Sequence, residues 1–257
     1  MPEMPRFRLY VTFALSAGAV RPLDRDQTHY LSTVMRAGEG EHVALFNGSD
    51  GEWLAEIATI GKHTGEVRVL SLLRPQREEP DVWLVFAPIK RARIDFIAEK
   101  ATELGASGLW PVFTRRTIVS RIKGERLYAN MIEAAEQTER LTLPQLFEAA
   151  PLEKVLASWP DNRRLLYMDE TGGGEPIARV LPSLSAGPMA ILVGPEGGFD
   201  KSELDALRNL PFSVAVGLGP RVLRADTAAL AALACWQALC GDWEGRPAFR
   251  SDTSSTT

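Results

Sequence analysis

The sequence is short of the residues from which most familiar catalytic centres are built. It has two cysteines, Cys235 and Cys240, five apart in an Ala- and Leu-rich stretch of a 257-residue chain. That spacing is not Cys-x-x-Cys, and two cysteines cannot make a disulfide framework. They read as small apolar side chains of a reducing compartment. The three histidines, His29, His42 and His63, all lie in the first part of the chain. The rest of the chain therefore lacks the base of a Ser-His-Asp or Cys-His system and the imidazoles of a zinc site, so no metal is expected. It holds no Gly-x-x-x-x-Gly-Lys-Ser/Thr and no Gly-x-Gly-x-x-Gly after a strand, which excludes a P-loop and the usual dinucleotide fingerprint. No apolar run reaches the ~18 residues of a membrane span. Leu9–Val20, preceded by Arg6 and Arg8, has the outline of a secretory signal, but it is short and is diluted by Tyr10, Thr12 and Ser16. Its β-branched and aromatic content suits a strand, and a cytoplasmic protein is expected.

An excess of positive charge is missing too. Lys plus Arg number 29 against 33 Asp plus Glu, for a net charge of -4. Residues 1–75 carry 8 basic and 9 acidic side chains, and residues 76–257 carry 21 and 24. A uniformly basic nucleic-acid coat is excluded, so any such binding rests on local clusters. Arg115–Arg126 supplies one, with five positive residues and one negative, and Lys90, Arg91 and Arg93 supply another. These runs are either solvated faces or, following neighbouring strands, a phosphate-tracking edge of a sheet.

What is present divides into two unlike parts. Residues 1–75 hold short β-like runs, Arg8–Phe13, Glu41–Phe46, Glu52–Ile60 and Glu66–Leu72, with the hairpin signal Asn47-Gly48-Ser49-Asp50-Gly51 and one helical stretch, Asp26–Met35. A small β-barrel is expected there. The polar stretch Arg74–Pro80 reads as a linker. From residue 76 to 250 the rhythm changes. The apolar runs Val82–Ala87, Leu109–Phe113, Arg164–Met168, Met189–Val193 and Ser213–Gly217 alternate with amphipathic helical stretches. That pattern predicts an α/β fold, a mostly parallel sheet with helices on both faces. Asp200-Lys-Ser-Glu203 is a capping box, and Asp226 is placed to cap a last helix from Thr227 to Leu239. The tail, residues 251–257, is low in complexity and expected to be disordered.

Two loops stand out, each directly after a buried strand. Val193-Gly194-Pro195-Glu196-Gly197-Gly198-Phe199 combines three glycines and a carboxylate at a strand's carboxyl end, where open α/β sheets bind ligands. It is either a ligand cradle or a tight strand-to-helix turn. Gly217-Leu218-Gly219-Pro220-Arg221-Val222-Leu223-Arg224-Ala225-Asp226-Thr227 carries two arginines three apart. These meet a phosphate or a developing anion, or make structural ion pairs. A composite pocket of backbone and apolar groups suits an adenosine better than a free polyphosphate.

Together these loops resemble the ribosomal RNA small subunit methyltransferase E family, of the SPOUT (trefoil-knot) class. Asp95–Gly105, Arg116-Thr-Ile-Val-Ser120, Glu133-Ala-Ala-Glu-Gln137, His29–Arg36 and Leu45–Gly48 agree with it, so the likeness runs from about residue 6 to residue 240. The resemblance implies a PUA-like β-barrel over residues 1–75 and a knotted methyltransferase domain over 76–250. It implies a homodimer using S-adenosyl-L-methionine (SAM) to methylate uracil N3 in 16S ribosomal RNA of the small subunit. Met168, Val193, Gly194, Pro195, Gly197, Leu218, Gly219 and Leu223 would line the cofactor. Since SAM carries an activated methyl, the scarcity of histidine ceases to be a puzzle, and the protein's task is positioning. Arg221, then Arg224, would stabilise the N3 anion, and Glu196 would either take the proton or only orient its loop. Arg8, Arg36, Arg116 and Arg121 are candidates for gripping RNA whose target base is unpaired or flipped. The last helix is either core or half of a dimer interface. The chain departs from the family pattern at Lys90-Arg91, at Thr138-Glu139-Arg140 and at Ala225-Asp226, which puts specific roles there in doubt. The competing readings are a non-catalytic RNA-binding or ribosome-assembly module of the same fold, and an enzyme acting on transfer RNA.

Overall fold

Strand pairing and side-chain alternation together set the architecture. The computed structural model describes residues 5–184 and 186–246, so the tail 251–257 lies outside the described residues. The chain packs as two units, one of residues up to Glu78 together with Ile132–Leu143, the other of Glu79–Met131 and the residues from Pro144 onward. The sequence pattern leaves 132–143 with the second part. The structure packs this stretch in the first unit, where Ala135 and Leu141 cover Phe46.

The first unit is built on a five-stranded sheet in the order β1 (Phe7–Tyr10), β3 (His42–Phe46), β4 (Glu52–Ile60), β5 (Gly65–Arg74), β2 (Val20–Leu23). The β1–β3 ladder is parallel and the others antiparallel. Leu9, Val11, Val43, Leu45, Ile57, Val67 and Val69 are its buried side. Strand β2 escapes sequence reasoning because it contains Pro22, which lacks an N–H and is tolerated on an edge strand. The helical stretch forms as α1 (Arg25–His29), opened by an Asp24–Gln27 capping box, and runs on as one π turn over Tyr30–Val34. Glu52 is fully buried, with Arg8 Nε at 2.5 Å and Arg74 Nε at 2.6 Å on its two oxygens.

The second unit carries an eight-stranded sheet in the order β11 (Glu175–Pro176), β13 (Ser213–Gly217), β10 (Arg164–Met168), β12 (Met189–Val193), β6 (Val82–Phe86), β7 (Gly108–Phe113), β8 (Gln145–Leu146), with β9 (Ala150–Pro151) also on β7. Every one of these ladders is parallel. Successive side chains feed two cores. Leu84, Phe86, Leu166, Met168, Ile191 and Val193 face one, while Val85, Leu165, Tyr167, Ala190 and Leu192 face the other. The first core is covered by α2 (Arg91–Glu103), the early turns of α3 (Gly124–Gln137), α5 (Ile177–Ser183) and α7 (Ala225–Cys240). The second is covered by α4 (Leu152–Ala157) and α6 (Lys201–Arg208). This double burial is why the strands read as unbroken apolar runs rather than alternating ones.

The capping box at Asp200–Glu203 forms as expected at the start of α6. The cap expected at Asp226 does not. Helix α7 begins at Ala225 with Arg224 as N-cap and no side-chain cap bond, while Asp226 lies in the first turn and accepts the Thr227 N–H, at 2.9 Å. The last strand stops at Gly217, so Leu218–Arg224 forms the connecting loop.

Candidate functional site

The sheet order sets β13, β10 and β12 side by side, so three strand-end loops emerge together. They enclose a cavity of about 770 Å³, within the range of small-molecule sites. Of the residues expected to line a cofactor, Met168, Val193, Gly194, Pro195, Leu218, Gly219 and Leu223 do line it, and Glu196, Arg221 and Arg224 stand on it as well. Gly197 is not on the wall. It is exposed, and its carbonyl accepts the Arg116 Nη1 donor at 3.0 Å.

Sequence reasoning missed much of one wall, the loop after β10. Asp169, Glu170, Thr171, Gly172 and Gly174 line the cavity. The Asp169 side chain is buried, accepts the Thr171 N–H at 2.9 Å, and faces Arg208 at 3.5 Å. A Cβ on Gly174 would meet the Val216 carbonyl carbon at 2.5 Å, so only glycine lets this loop press onto β13. Across the cavity, Gly198 sits at φ 69°, and a Cβ there would strike Glu170, whose Oε1 accepts the Phe199 N–H at 2.9 Å. The two loops are thus tied to each other by a carboxylate. The available signal is the acidic, Gly-rich run Asp169–Gly174 directly after an apolar strand, the same grammar as in the other two loops.

The charged rim is uneven. Arg93, in the first turn of α2, places Nη1 3.2 Å from Glu196 Oε1 and Nε 3.7 Å from Asp226 Oδ2. Arg221 and Arg224 are exposed, and neither makes an ion pair with another described residue. Val222 between them is 83% exposed, while Leu218 and Leu223 pack against the core. The loop is therefore anchored on both sides and turned outward at its middle.

The candidates for RNA contact separate. Arg8 is withdrawn from that role, because its guanidinium is spent inside the first unit. It binds Glu52, the carbonyls of Ala135 and Arg140, and stacks over the Phe46 ring at 3.8 Å. Arg36 is exposed, at φ 54°. Arg116 is half-exposed and tied to Gly197 and Asp200, and Arg121 is exposed with no ion-pair partner among the described residues. Among the described residues no helix is long and apolar enough to cross a membrane, and no cluster of three or more His, Cys, Asp or Glu is placed to hold a metal ion.

Comparison with known proteins gives this site a context. A family model described as an RNA methyltransferase domain matches residues 77–237, and one described as an RNA methyltransferase PUA domain matches 23–70. The chain is 36% identical to ribosomal RNA small subunit methyltransferase E of Rickettsia conorii, covering 88% of this chain and 93% of that protein. It is 34% identical to the Synechocystis protein of the same name, over 91% and 78%. The crystal structure of the Neisseria gonorrhoeae protein of that name, bound to S-adenosyl methionine, superposes with a TM-score of 0.84 at 30% identity, covering 94% of this chain and 100% of that one. At 36% identity over 88% of its length, and with the RNA methyltransferase domain matched over residues 77–237, this chain belongs to the ribosomal RNA small subunit methyltransferase E family.

Proposed function

We propose that the protein methylates small-subunit ribosomal RNA with SAM as donor, and that the atom modified is N3 of a uracil in 16S RNA. The carrying observation is the convergence of the loops after β10, β12 and β13 on one cavity. The lining fits the cofactor. Met168, Val193, Leu218 and Leu223 offer apolar walls for a purine, backbone at Gly194 and Gly219 on the cavity wall offers hydrogen bonds, and Asp169 and Glu170 supply negative charge towards a cation. When bound, SAM supplies a methyl already activated by its sulfonium. The chain's own residues then have to hold the acceptor in line and stabilise charge on it. Uracil N3 becomes anionic as its proton leaves; Arg221, exposed and without an ion-pair partner among the described residues, is the first candidate to stabilise that anion and Arg224 the second. Glu196 is engaged by Arg93, which favours loop orientation over proton removal as its part.

N3 lies on the pairing edge of the base, so the target must be unpaired or flipped, and Arg36, Arg116 and Arg121 are the exposed cations for the flanking backbone. The threading of the three loops follows the trefoil knot of the family; its support is a sheet order in which β13 separates β10 from β11. A second copy would cover the apolar side chains left exposed near α7, Leu239 at 50% and Trp243 at 51%, and sedimentation at micromolar concentration checks that dimer. The test of the reaction is labelled SAM with 16S RNA and with small subunits, followed by mass spectrometry of the nucleosides. Methyl at uracil N3 in either substrate is expected; none in both would refute the proposal, and methyl in transfer RNA instead would redirect it.

A further inference from the structure

The two loops that carry the cofactor wall and the unspent arginines emerge from strands that are not neighbours, since β10 lies between β12 and β13. Something must set the spacing between them. Backbone pairing does not do so beyond Val193 and Gly217, where the two strands end. Among the described residues, Arg93 reaches both the loop after β12 and the helix turn that directly follows the loop after β13. Arg93 arises from a third element, the first turn of α2 behind β6, and lines the cavity. Its guanidinium meets Glu196 of the loop after β12 at 3.2 Å and Asp226 at the start of α7 at 3.7 Å. Two carboxylates converge on one planar cation whose fork can serve both at once, which a lysine ammonium does less well.

From this geometry we propose that Arg93 is a positioning residue for methyl transfer: it latches the Glu196 loop to the first turn of α7, into which the Arg221–Arg224 loop runs, and so fixes the distance from donor to acceptor. The inference rests on the methyltransferase reading above. It also gives Asp226, where the chain departs from the family pattern, a defined partner. The side chains of Arg93 and Glu196 are 30% and 39% exposed, so these ion pairs add little to overall stability. Their contribution lies instead in alignment, where a displacement of about 1 Å costs on the order of 100-fold in rate.

The experiment compares Arg93→Met and Arg93→Lys with the wild-type protein in four measurements. These are turnover at saturating SAM and RNA, SAM affinity by calorimetry, the thermal midpoint, and amide hydrogen exchange of the SAM-free protein. For Arg93→Met, turnover should fall about 100-fold while SAM affinity falls only about threefold, a split that lost binding alone does not produce. The thermal midpoint should barely move, and exchange should quicken in 194–198 and 218–224 and not in the first unit. Arg93→Lys, which keeps the charge but not the fork, should recover only part of the turnover. Turnover of Arg93→Met within a few-fold of wild type, unchanged exchange in both loops, or a general loss of thermal stability that accounts for the rate would each overturn the latch. If the wild-type protein transfers no methyl to ribosomal RNA, the functional reading falls instead, and the exchange data still decide whether Arg93 couples the loops.

Discussion

Two pairs of arginines, one in each unit, do opposite work. In the first, Arg8 and Arg74 are turned inward onto Glu52, and Arg74 also donates to the Glu139 carbonyl at 3.0 Å. In the second, Arg221 and Arg224 face solvent at the cavity rim without an ion-pair partner among the described residues. The same residue type serves as an internal tie in one place and as an available charge in the other. What distinguishes them is whether the donors are already satisfied. Burial of the Glu52 carboxyl would raise its pKa, but hydrogen bonds from Arg74 and Arg8 outweigh this and hold it below the usual value. Its stabilising part is therefore full at neutral pH and is lost as the pH falls through the lowered value.

The contrast can be broken by substitution. Replacing Arg8 by Met leaves Glu52 with one cation and strands several carbonyls, so stability should fall by about 3–5 kcal/mol, read from the midpoint of urea unfolding. The opposite result, an unchanged midpoint, would mean that Arg8 is not an internal tie. Arg221→Ala should leave that midpoint alone but cut turnover by about 100- to 1000-fold, with SAM affinity little changed. Steady-state kinetics beside calorimetry would show whether the loss lies instead in cofactor binding.

A subtler effect concerns Glu136, which accepts the Tyr10 N–H at 2.9 Å. Burial pushes its carboxyl up to about 7, against the pull of that hydrogen bond and of Arg8, while Glu133 pushes it further. The folded state thus prefers the proton, so this group's contribution to stability is full below the unfolded carboxyl's value of ~4.3 and declines as the pH rises towards 7. Glu136→Gln should flatten this decline and gain about 1–2 kcal/mol at pH 8 while changing little at pH 5. Denaturant titrations at the two pH values check it. The smallest effect belongs to Arg121→Ala, which should leave stability within about 0.5 kcal/mol and lower the salt slope of RNA binding by about 1.

The fold is legible in sequence where a physical pattern is long and strict. Arg164–Met168, Met189–Val193 and Ser213–Gly217 coincide with strands residue for residue, because strands covered on both faces, fully in Met189–Val193 and partly in Ser213–Gly217, admit mainly apolar side chains. Two-residue strands such as Glu175–Pro176 carry no period to read, and α5 is interrupted by Pro182, which hides it. The site is legible where glycine and charge cluster after a strand. The roles of single arginines are not, since a guanidinium looks the same in sequence whether its partner is a distant carboxylate, as for Arg8 and Glu52, or solvent. In sequence Arg93 is only part of a basic run; its two carboxylates, Glu196 on a loop and Asp226 in the first turn of α7, come from the far half of the chain.

The membership of Ile132–Leu143 in the first unit bears on the order of events during synthesis. Arg8 finds its carbonyl partners, and Phe46 the Ala135 and Leu141 side chains that cover it, in a segment made long after the last strand of that unit, Gly65–Arg74, is complete. The N-terminal sheet therefore cannot finish packing when its own strands leave the ribosome. It waits until the chain has grown past Leu143, by which time β6, α2 and β7 of the other unit have also been made. A fragment cut at residue 75 would remain unfinished in the same way, which makes maturation of the two units coupled in time.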